Sequence, residues 1–262
     1  MKSLLTSVFI IIAMGLSLGI SSCSDDTTTT PTADGDIMPL KTGSYYVYNA
    51  YRLDSITKQK DMSSLRVDSV VIGGVSTQSG KSATAFMTYV AGSNTATDYY
   101  SKEGKTVLGY WKFLPPGINI STLIDPIIPQ NRRWSKFADF AWPADSNWAI
   151  ADTTVNNISL PGIPIPLSAV ISMKGKRVGS SSTVAVNGVN YPNTRKFTIS
   201  LTVSILNNPI ASVEQYIWIA ENVGIIKEEF PAIDLNVTVP GMTPINFKGD
   251  GSVRELIRYS IK

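Results

Sequence analysis

The sequence predicts a mainly β fold, in which one large antiparallel sheet contains about 11 to 12 strands and at most one or two short helices accompany it. Apolar and polar side chains alternate strictly from Lys196 to Ile205, as in a strand with one buried face. The pair Asn187-Gly188 lies between two short apolar runs and is typical of a two-residue hairpin turn. A β-sandwich is the alternative architecture.

The other expected strands follow from shorter apolar or alternating runs that are separated by turn residues. Before the middle of the chain they cover 44–53, 65–72, 82–91, 97–102 and 105–113. A bulge is expected within the second run, where Val70-Val71-Ile72 breaks the alternation. After the middle, Leu167, Ala169, Ile171 and Met173 share one face, and further strands are expected at 213–220, 225–230, 233–239 and 252–261.

The middle of the chain, at about 115–148, is an apolar, aromatic-rich insertion. Pro126 and Pro129 exclude a long helix there, but the spacing of the aromatic and alanine residues favours one short helix near 131–141. An insertion of this length covers either the core of the protein itself or a ligand. The candidate ligand or partner contacts are Trp134, Phe137, Trp142 and Trp148.

The N-terminal segment has the layout of a secretory signal, because Lys2 precedes a 17-residue uncharged run from Leu4 to Ile20. The run ends in Ile20-Ser21-Ser22-Cys23, which resembles the lipobox of bacterial lipoproteins. This resemblance implies cleavage before Cys23, a diacylglycerol on its sulfur and an acyl chain on its new amino group. Cys23 is the only cysteine in the chain, so the expected lipid attachment uses the one available thiol.

The expected organisation is therefore a signal peptide at 1–22, a lipidated Cys23 with a Thr- and Asp-rich tether over 23–40, and a β domain over 41–262. Ser24 stands where an aspartate is associated with inner-membrane retention, so the outer membrane is the expected location. The domain then faces either the periplasm or the cell surface. No second run approaches the length of a spanning helix.

Composition excludes several classes of function. The chain has no histidine, which removes Ser-His-Asp and Cys-His catalysis and imidazole metal sites. Removing 1–22 deletes one lysine and no acid, which lowers the net charge from +3 to +2 and gives no indication of nucleic-acid binding. The adjacent Glu228 and Glu229 face opposite sides of a strand and cannot form a glycosidase pair. We expect no enzyme activity, no metal and no cofactor.

Two hairpins carry a resemblance to a known group. Residues 216–229 pair an aromatic-ended strand with an Ile-Ile-Lys strand across Val223-Gly224, and residues 184–194 contain the hairpin before it. Together they resemble the lipoprotein-carrier-like envelope proteins over roughly 180–230. The resemblance implies a strongly curved, unclosed β half-barrel with an apolar concave face, and it places Lys227 and Glu229 on one solvent-facing edge.

The expected function is thus that of a non-catalytic lipoprotein, anchored through Cys23, that binds a lipid or acyl chain on a curved sheet. The alternative is an envelope scaffold that binds a protein partner or a glycan through exposed aromatic residues. In either case we expect a monomer, with the membrane as partner through the covalent lipid.

Overall fold

The computed structural model describes residues 36–111, 131–158, 167–205, 208–237 and 245–262. These residues form fourteen strands, and within these ranges there is no helix. The strands are β1 (Tyr45–Leu53), β2 (Lys60–Gln78), β3 (Lys81–Val90), β4 (Ser93–Glu103), β5 (Thr106–Trp111), β6 (Arg133–Asp139), β7 (Asn147–Ile158), β8 (Leu167–Val186), β9 (Val189–Ile205), β10 (Asn208–Ala220), β11 (Gly224–Phe230), β12 (Ile233–Val237), β13 (Ile245–Gly249) and β14 (Gly251–Ser260).

Twelve strands form one antiparallel sheet in the order β6-β5-β4-β3-β2-β1-β14-β11-β10-β9-β8-β7, and β12 and β13 form a separate two-stranded sheet. The large sheet curves until its two edges, β6 and β7, lie beside each other, so it is nearly closed into a barrel with one seam. The predicted fold class, a mainly β protein with one large curved antiparallel sheet, is confirmed. The curvature goes further than a half-barrel.

The seam is closed by the short connection between its own two edge strands, residues 140–146. The Phe140 amide donates to the carbonyl of Lys105 beside β5, at 3.0 Å. The Phe140 carbonyl accepts from Nη1 of Arg177 on β8 at 2.8 Å and from Nη1 of Arg195 on β9 at 3.0 Å. The Asp145 amide also donates to the Arg177 carbonyl, at 2.7 Å. One connection thus ties both edges of the sheet together.

Aromatic and charged side chains reinforce this seam. The indole Nε1 of Trp148 on β7 donates to the Lys136 carbonyl on β6 at 3.4 Å. The Lys136 ammonium lies 4.2 Å from the ring centroid of Trp142 and pairs with Asp139 at 2.7 Å. The two indoles contact each other edge to face at 5.9 Å. An exposed pair of β edges would invite pairing with other chains, and here each edge covers the other.

The inner face of β7 to β10 is filled by side chains that alternate as predicted. Phe197, Ile199, Leu201, Val203 and Ile205 are all buried, and so are Ala169, Ile171 and Met173 opposite them on β8. Asn187 and Gly188 have φ values of 49° and 79°, which is the left-handed geometry that the predicted hairpin turn requires. The hairpin of β10 and β11 turns at residues 221–223, and Gly224, the first residue of β11, has a φ of 104°.

The helix expected near 131–141 is wrong, because residues 133–139 form β6 and pair with β5. The register shifts between Val107 and Leu108, so that Phe137 and Ala138 on the opposite strand are both buried although they are consecutive. This bulge breaks the strict alternation of a strand, and the resulting apolar spacing imitates that of a helix. The expected bulge in β2 is present a little later, between Ile72 and Val75.

The N-terminal residues of the described chain pack against one end of the barrel. Asp36 exchanges backbone and side-chain hydrogen bonds with Asn222 in the turn after β10, and its carboxylate pairs with Lys102 on β4. Met38 is fully buried against the core. The residues from 36 to 40, at the end of the predicted tether, therefore belong to the compact unit Gly35–Lys262. Cys23, the signal segment, residues 24–35 and the part of the insertion at 112–130 lie outside the described residues.

A cross-strand contact between glycine and tryptophan provides a test of this packing. Gly175 pairs with Trp148, and a Cβ atom at position 175 would lie 2.2 Å from the indole ring. We expect Gly175→Ala to lower the free energy of unfolding by about 2 kcal/mol, because the indole has to leave its place in the core. Urea unfolding measures this loss. Gly74→Ala is the control, since nothing lies within 4 Å of its Cβ and a change below about 0.5 kcal/mol is expected; an equal loss in both variants would contradict the packing.

Candidate functional site

A cavity of about 730 Å³ occupies the other part of the barrel interior, lined mainly by β1 to β4, β11 and β14. Its size lies in the range of small-molecule binding sites. At one end its lining residues are exposed, among them Thr95 and Ala96 at the start of β4, Ser252 on β14 and Asp250 before it. At the other end its lining residues are buried. The cavity is therefore a pocket with a rim and a floor.

The floor of the pocket is aromatic and apolar. Tyr100 lies edge to face with Phe86, with ring centroids 4.8 Å apart. Tyr46 and Tyr48 stack side by side at 6.4 Å, and all four rings are buried. The Tyr48 hydroxyl donates to the Ile225 carbonyl at 2.9 Å, so its polar group is satisfied inside the protein. Met38 contributes to the same floor.

A belt of charged side chains surrounds the pocket between floor and rim. Arg254 on β14 and Glu228 on β11 are cross-strand neighbours and form an ion pair. The Arg254 guanidinium also lies 4.9 Å from the Tyr48 ring centroid. Burial lowers the pKa of Arg254, but the neighbouring Glu228 carboxylate and Tyr48 raise it by more, so the residue stays cationic. On β2, Arg66 forms a two-point contact with the buried Asp68, at 3.0 and 3.3 Å.

Asp98 on β4 is the exception in this belt. It is the cross-strand neighbour of the buried Phe86, and its half-buried side chain lines the pocket. Among the described residues, its carboxylate accepts no hydrogen bond and has no cation within 4 Å. Burial raises the pKa of Asp98 to about 6, and the nearby Glu228 adds to this, while Arg254 and Arg132 act in the opposite direction.

The four aromatic residues predicted from the sequence do not line this pocket. Phe137 and Trp148 are 1% and 3% exposed and belong to the core, so they offer no surface to a ligand. Trp142 is half-buried at the seam. Trp134 lies on the outer face, where its Nε1 donates to the Gln78 carbonyl at 2.9 Å and its ring contacts Tyr110. A contact role for Trp134 and Trp142 stays a prediction.

The outer face carries a row of aromatic and charged residues instead. Trp218 on β10 lies between two ammonium groups, those of Lys196 at 4.9 Å and Lys227 at 4.8 Å from its ring centroid. Lys227 also pairs with Glu229 at 3.0 Å. Lys227 and Glu229 are thus on the outer face, as the carrier resemblance implied. These side chains are held in place by their contacts with one another.

Sequence reasoning missed the charged belt, although one signal for it was present. Once Lys227 and Glu229 are placed on the outer face, alternation places Glu228 on the inner face. No comparable signal identifies the partner of Glu228, because Arg254 is 26 residues away and reaches it only through the pairing of β11 with β14. Asp98 lies on a strand that does not neighbour either of them.

In the described part of the chain, no group of three or more His, Cys, Asp and Glu side chains is arranged to hold a metal ion. Over the same residues, no helix has the length and apolar character needed to cross a membrane.

The unpaired carboxylate of Asp98 leads to a prediction about stability. Because its pKa is raised to about 6, the native chain holds this proton more tightly than the unfolded chain, and stability is lost as the pH rises from about 4 through 6. We expect Asp98→Asn to be more stable than the natural chain at pH 7.5, by on the order of 1 kcal/mol or about 2–4 °C, and to lose this advantage at pH 4. Thermal unfolding at the two pH values tests this. Asp152→Asn, which removes an exposed carboxylate, is the charge control; an advantage for Asp98→Asn that does not change with pH would contradict the assignment.

The comparisons with known proteins give no family. No family model matches the chain, and no curated protein does.

Two solved structures are similar to it. One, from Parabacteroides distasonis, is provisionally described as a lipoprotein; the TM-score is 0.45 at 9% identity, with 87% of this chain and 100% of that chain covered. The other, from Bacteroides fragilis, is provisionally described as an exported protein with a YmcC-like fold; the TM-score is 0.46 at 12% identity, with 86% and 99% covered. Likeness at this level carries no argument about function.

Proposed function

We propose that this chain is a lipid-anchored, non-catalytic protein of the cell envelope whose barrel cavity binds one small amphipathic molecule. The observation that supports this most directly is the pocket itself, a volume of about 730 Å³ with a buried aromatic floor beneath a belt of charged side chains. An apolar part of a ligand fits the floor, and a polar part fits the belt.

The sequence led us to expect a purely apolar ligand. Because of the charged belt, we propose an amphipathic ligand in its place. A plain acyl chain that filled the pocket would remove water from Asp98 without giving it a hydrogen bond, and it would press against the Arg254–Glu228 pair. Removing solvent from an unpaired charge is strongly unfavourable. A ligand with a polar group at the height of the belt avoids this cost.

The absence of catalysis remains part of the proposal. The chain has no histidine, and the one cysteine is assigned to the lipid. Of the carboxylates around the pocket, Asp68 and Glu228 are held in ion pairs with arginines. Such pairing holds each carboxylate in a fixed orientation against its arginine.

The proposed location rests on the N-terminal sequence. The lipobox-like stretch 20–23 supports attachment of lipid to Cys23, and Ser24 favours the outer membrane. Two or three acyl chains on one residue anchor a protein stably, whereas one chain binds only marginally.

A substitution at the rim tests ligand binding. Ala96 is exposed and lines the entrance, so Ala96→Trp should place a large ring in the opening of the pocket without disturbing the core. Native mass spectrometry and lipid extraction of the purified protein should detect a bound small molecule in the natural chain and at least a ten-fold reduction in Ala96→Trp. Thr97→Trp is the matched control, because Thr97 is the next residue on the same strand and points to the opposite face. Equal loss in both variants, or no bound or exchangeable molecule in the natural chain, would argue against the binding function.

A substitution at the lipid attachment site tests the anchor separately. We expect Cys23→Ala to abolish metabolic labelling with a fatty acid and to move the protein out of the membrane fraction, because no other thiol is present. Ser24→Ala, which leaves the cysteine in place, should still be labelled and is the control. If Cys23→Ala stays acylated and sediments with membranes, the anchor is assigned to the wrong residue.

A further inference from the structure

Most of the charged side chains that line the pocket form an ion pair with another side chain of the protein. Three arginines line the pocket, and each already has a carboxylate partner: Arg52 pairs with Asp61 and with Asp250 at 3.3 Å, and the pairs of Arg66 and Arg254 have been described above. Each pocket-lining guanidinium in the described part of the chain therefore already has a carboxylate counter-ion.

Among the acidic side chains of the pocket, one has no ion-pair partner in the described part of the chain. Five acidic residues border the pocket, but the Glu229 side chain turns to Lys227 on the outer face. Of the other four, Asp68, Glu228 and Asp250 have a cation within 4 Å. The remaining one is Asp98, whose carboxylate has no such cation among the described residues. Arg254 and Arg132 act on it only from farther away, so within the described chain Asp98 is the pocket carboxylate without a direct ion pair.

We propose that the ligand of this pocket carries one cationic group, such as a protonated amine, and that Asp98 is its counter-ion. This inference rests on the proposed binding function and names the chemical class of the ligand. A half-buried carboxylate is poorly hydrated, and an ammonium group that donates to it restores the lost interactions.

The surroundings of Asp98 suit such a group. Asp98 is directly opposite Phe86 on β3, and Tyr100 is two residues further along β4, so both rings share its face of the sheet. Aromatic rings attract cations over their faces, and this attraction is stronger where solvent is displaced. The deeper part of the floor, with Tyr46 and Tyr48, is then available for an aromatic or aliphatic body attached to the cationic group.

The same arrangement disfavours an anionic ligand. A carboxylate or phosphate group in the pocket would approach Asp98, and its natural partners, Arg66 and Arg254, are already engaged by Asp68 and Glu228. Capturing Arg66 would take the counter-ion from the buried Asp68, and capturing Arg254 would take it from the half-buried Glu228. A carboxylate left without its counter-ion offsets part of what the new contact provides.

Three probes of one size and different charge test the proposal: 4-phenylbutylammonium, 4-phenylbutanol and 4-phenylbutyrate. Binding of each to the full chain, solubilised in a non-ionic detergent, is measured by calorimetry or ligand-observed NMR at pH 7.5. We expect the ammonium to bind at least about ten-fold more tightly than the alcohol, and the carboxylate to bind most weakly. In Asp98→Asn the ammonium and the alcohol should bind equally, whereas Asp152→Asn, which removes an exposed carboxylate away from the pocket, should keep the preference.

The outcomes separate the two proposals. A preference for the ammonium that disappears in Asp98→Asn, and that also weakens at pH 5 where Asp98 is protonated, supports the inference. Binding of the alcohol or the carboxylate as tight as that of the ammonium overturns the inference and leaves the binding function standing. If none of the three probes binds, and no other molecule is found in the pocket, the binding function fails and the inference fails with it. Thermal unfolding of each variant confirms that it is folded.

Discussion

The structure depends on one closure, in which the two edges of a twelve-stranded sheet are joined by the short connection between them. The peptide groups of Phe140 reach both sides, through the amide to Lys105 and through the carbonyl to Arg177 and Arg195. Because the edge strands are neighbours in sequence, closing the sheet requires little loop entropy. Closure encloses a volume that one set of side chains fills, along β7 to β10, and that another set leaves open as the pocket.

This enclosure determines the chemistry of the pocket wall. A charge that alternation places on the inner face of a closed sheet loses part of its hydration, and it has to find a partner on a neighbouring strand. Glu228 and Arg254 meet through the register of β11 and β14, and Arg66 reaches Asp68 along β2. Asp98 departs from this pattern, because burial raises its pKa to about 6 and no direct ion pair among the described residues compensates for this. A perturbed carboxylate inside a cavity is a candidate functional group.

Much of the architecture is predictable because it depends on local signals. The alternation from Phe197 to Ile205 identifies its inner face directly, and Asn187-Gly188 forces the turn between β8 and β9. The error at 131–141 has a local cause too, since the bulge at Phe137 and Ala138 gives a strand the apolar spacing of a helix. The pocket could not be predicted in this way. Its ion pairs and its unpaired carboxylate depend on which strands, distant in sequence, become neighbours in the sheet. A local sequence pattern does not predict this pairing.

The path of the chain into the domain determines which end of the pocket remains accessible. Residues 36–40 cross one end of the barrel, where Asp36 contacts Asn222 and Lys102 and where the buried Met38 forms part of the pocket floor. The opposite end has exposed rim residues and a charged belt just inside them. A ligand that enters from the rim meets the charge of Asp98 before it reaches the aromatic floor. Under the proposed binding function, electrostatic attraction orients the cationic group while the apolar body is still partly solvated, so the order of the layers favours an amphipathic cation.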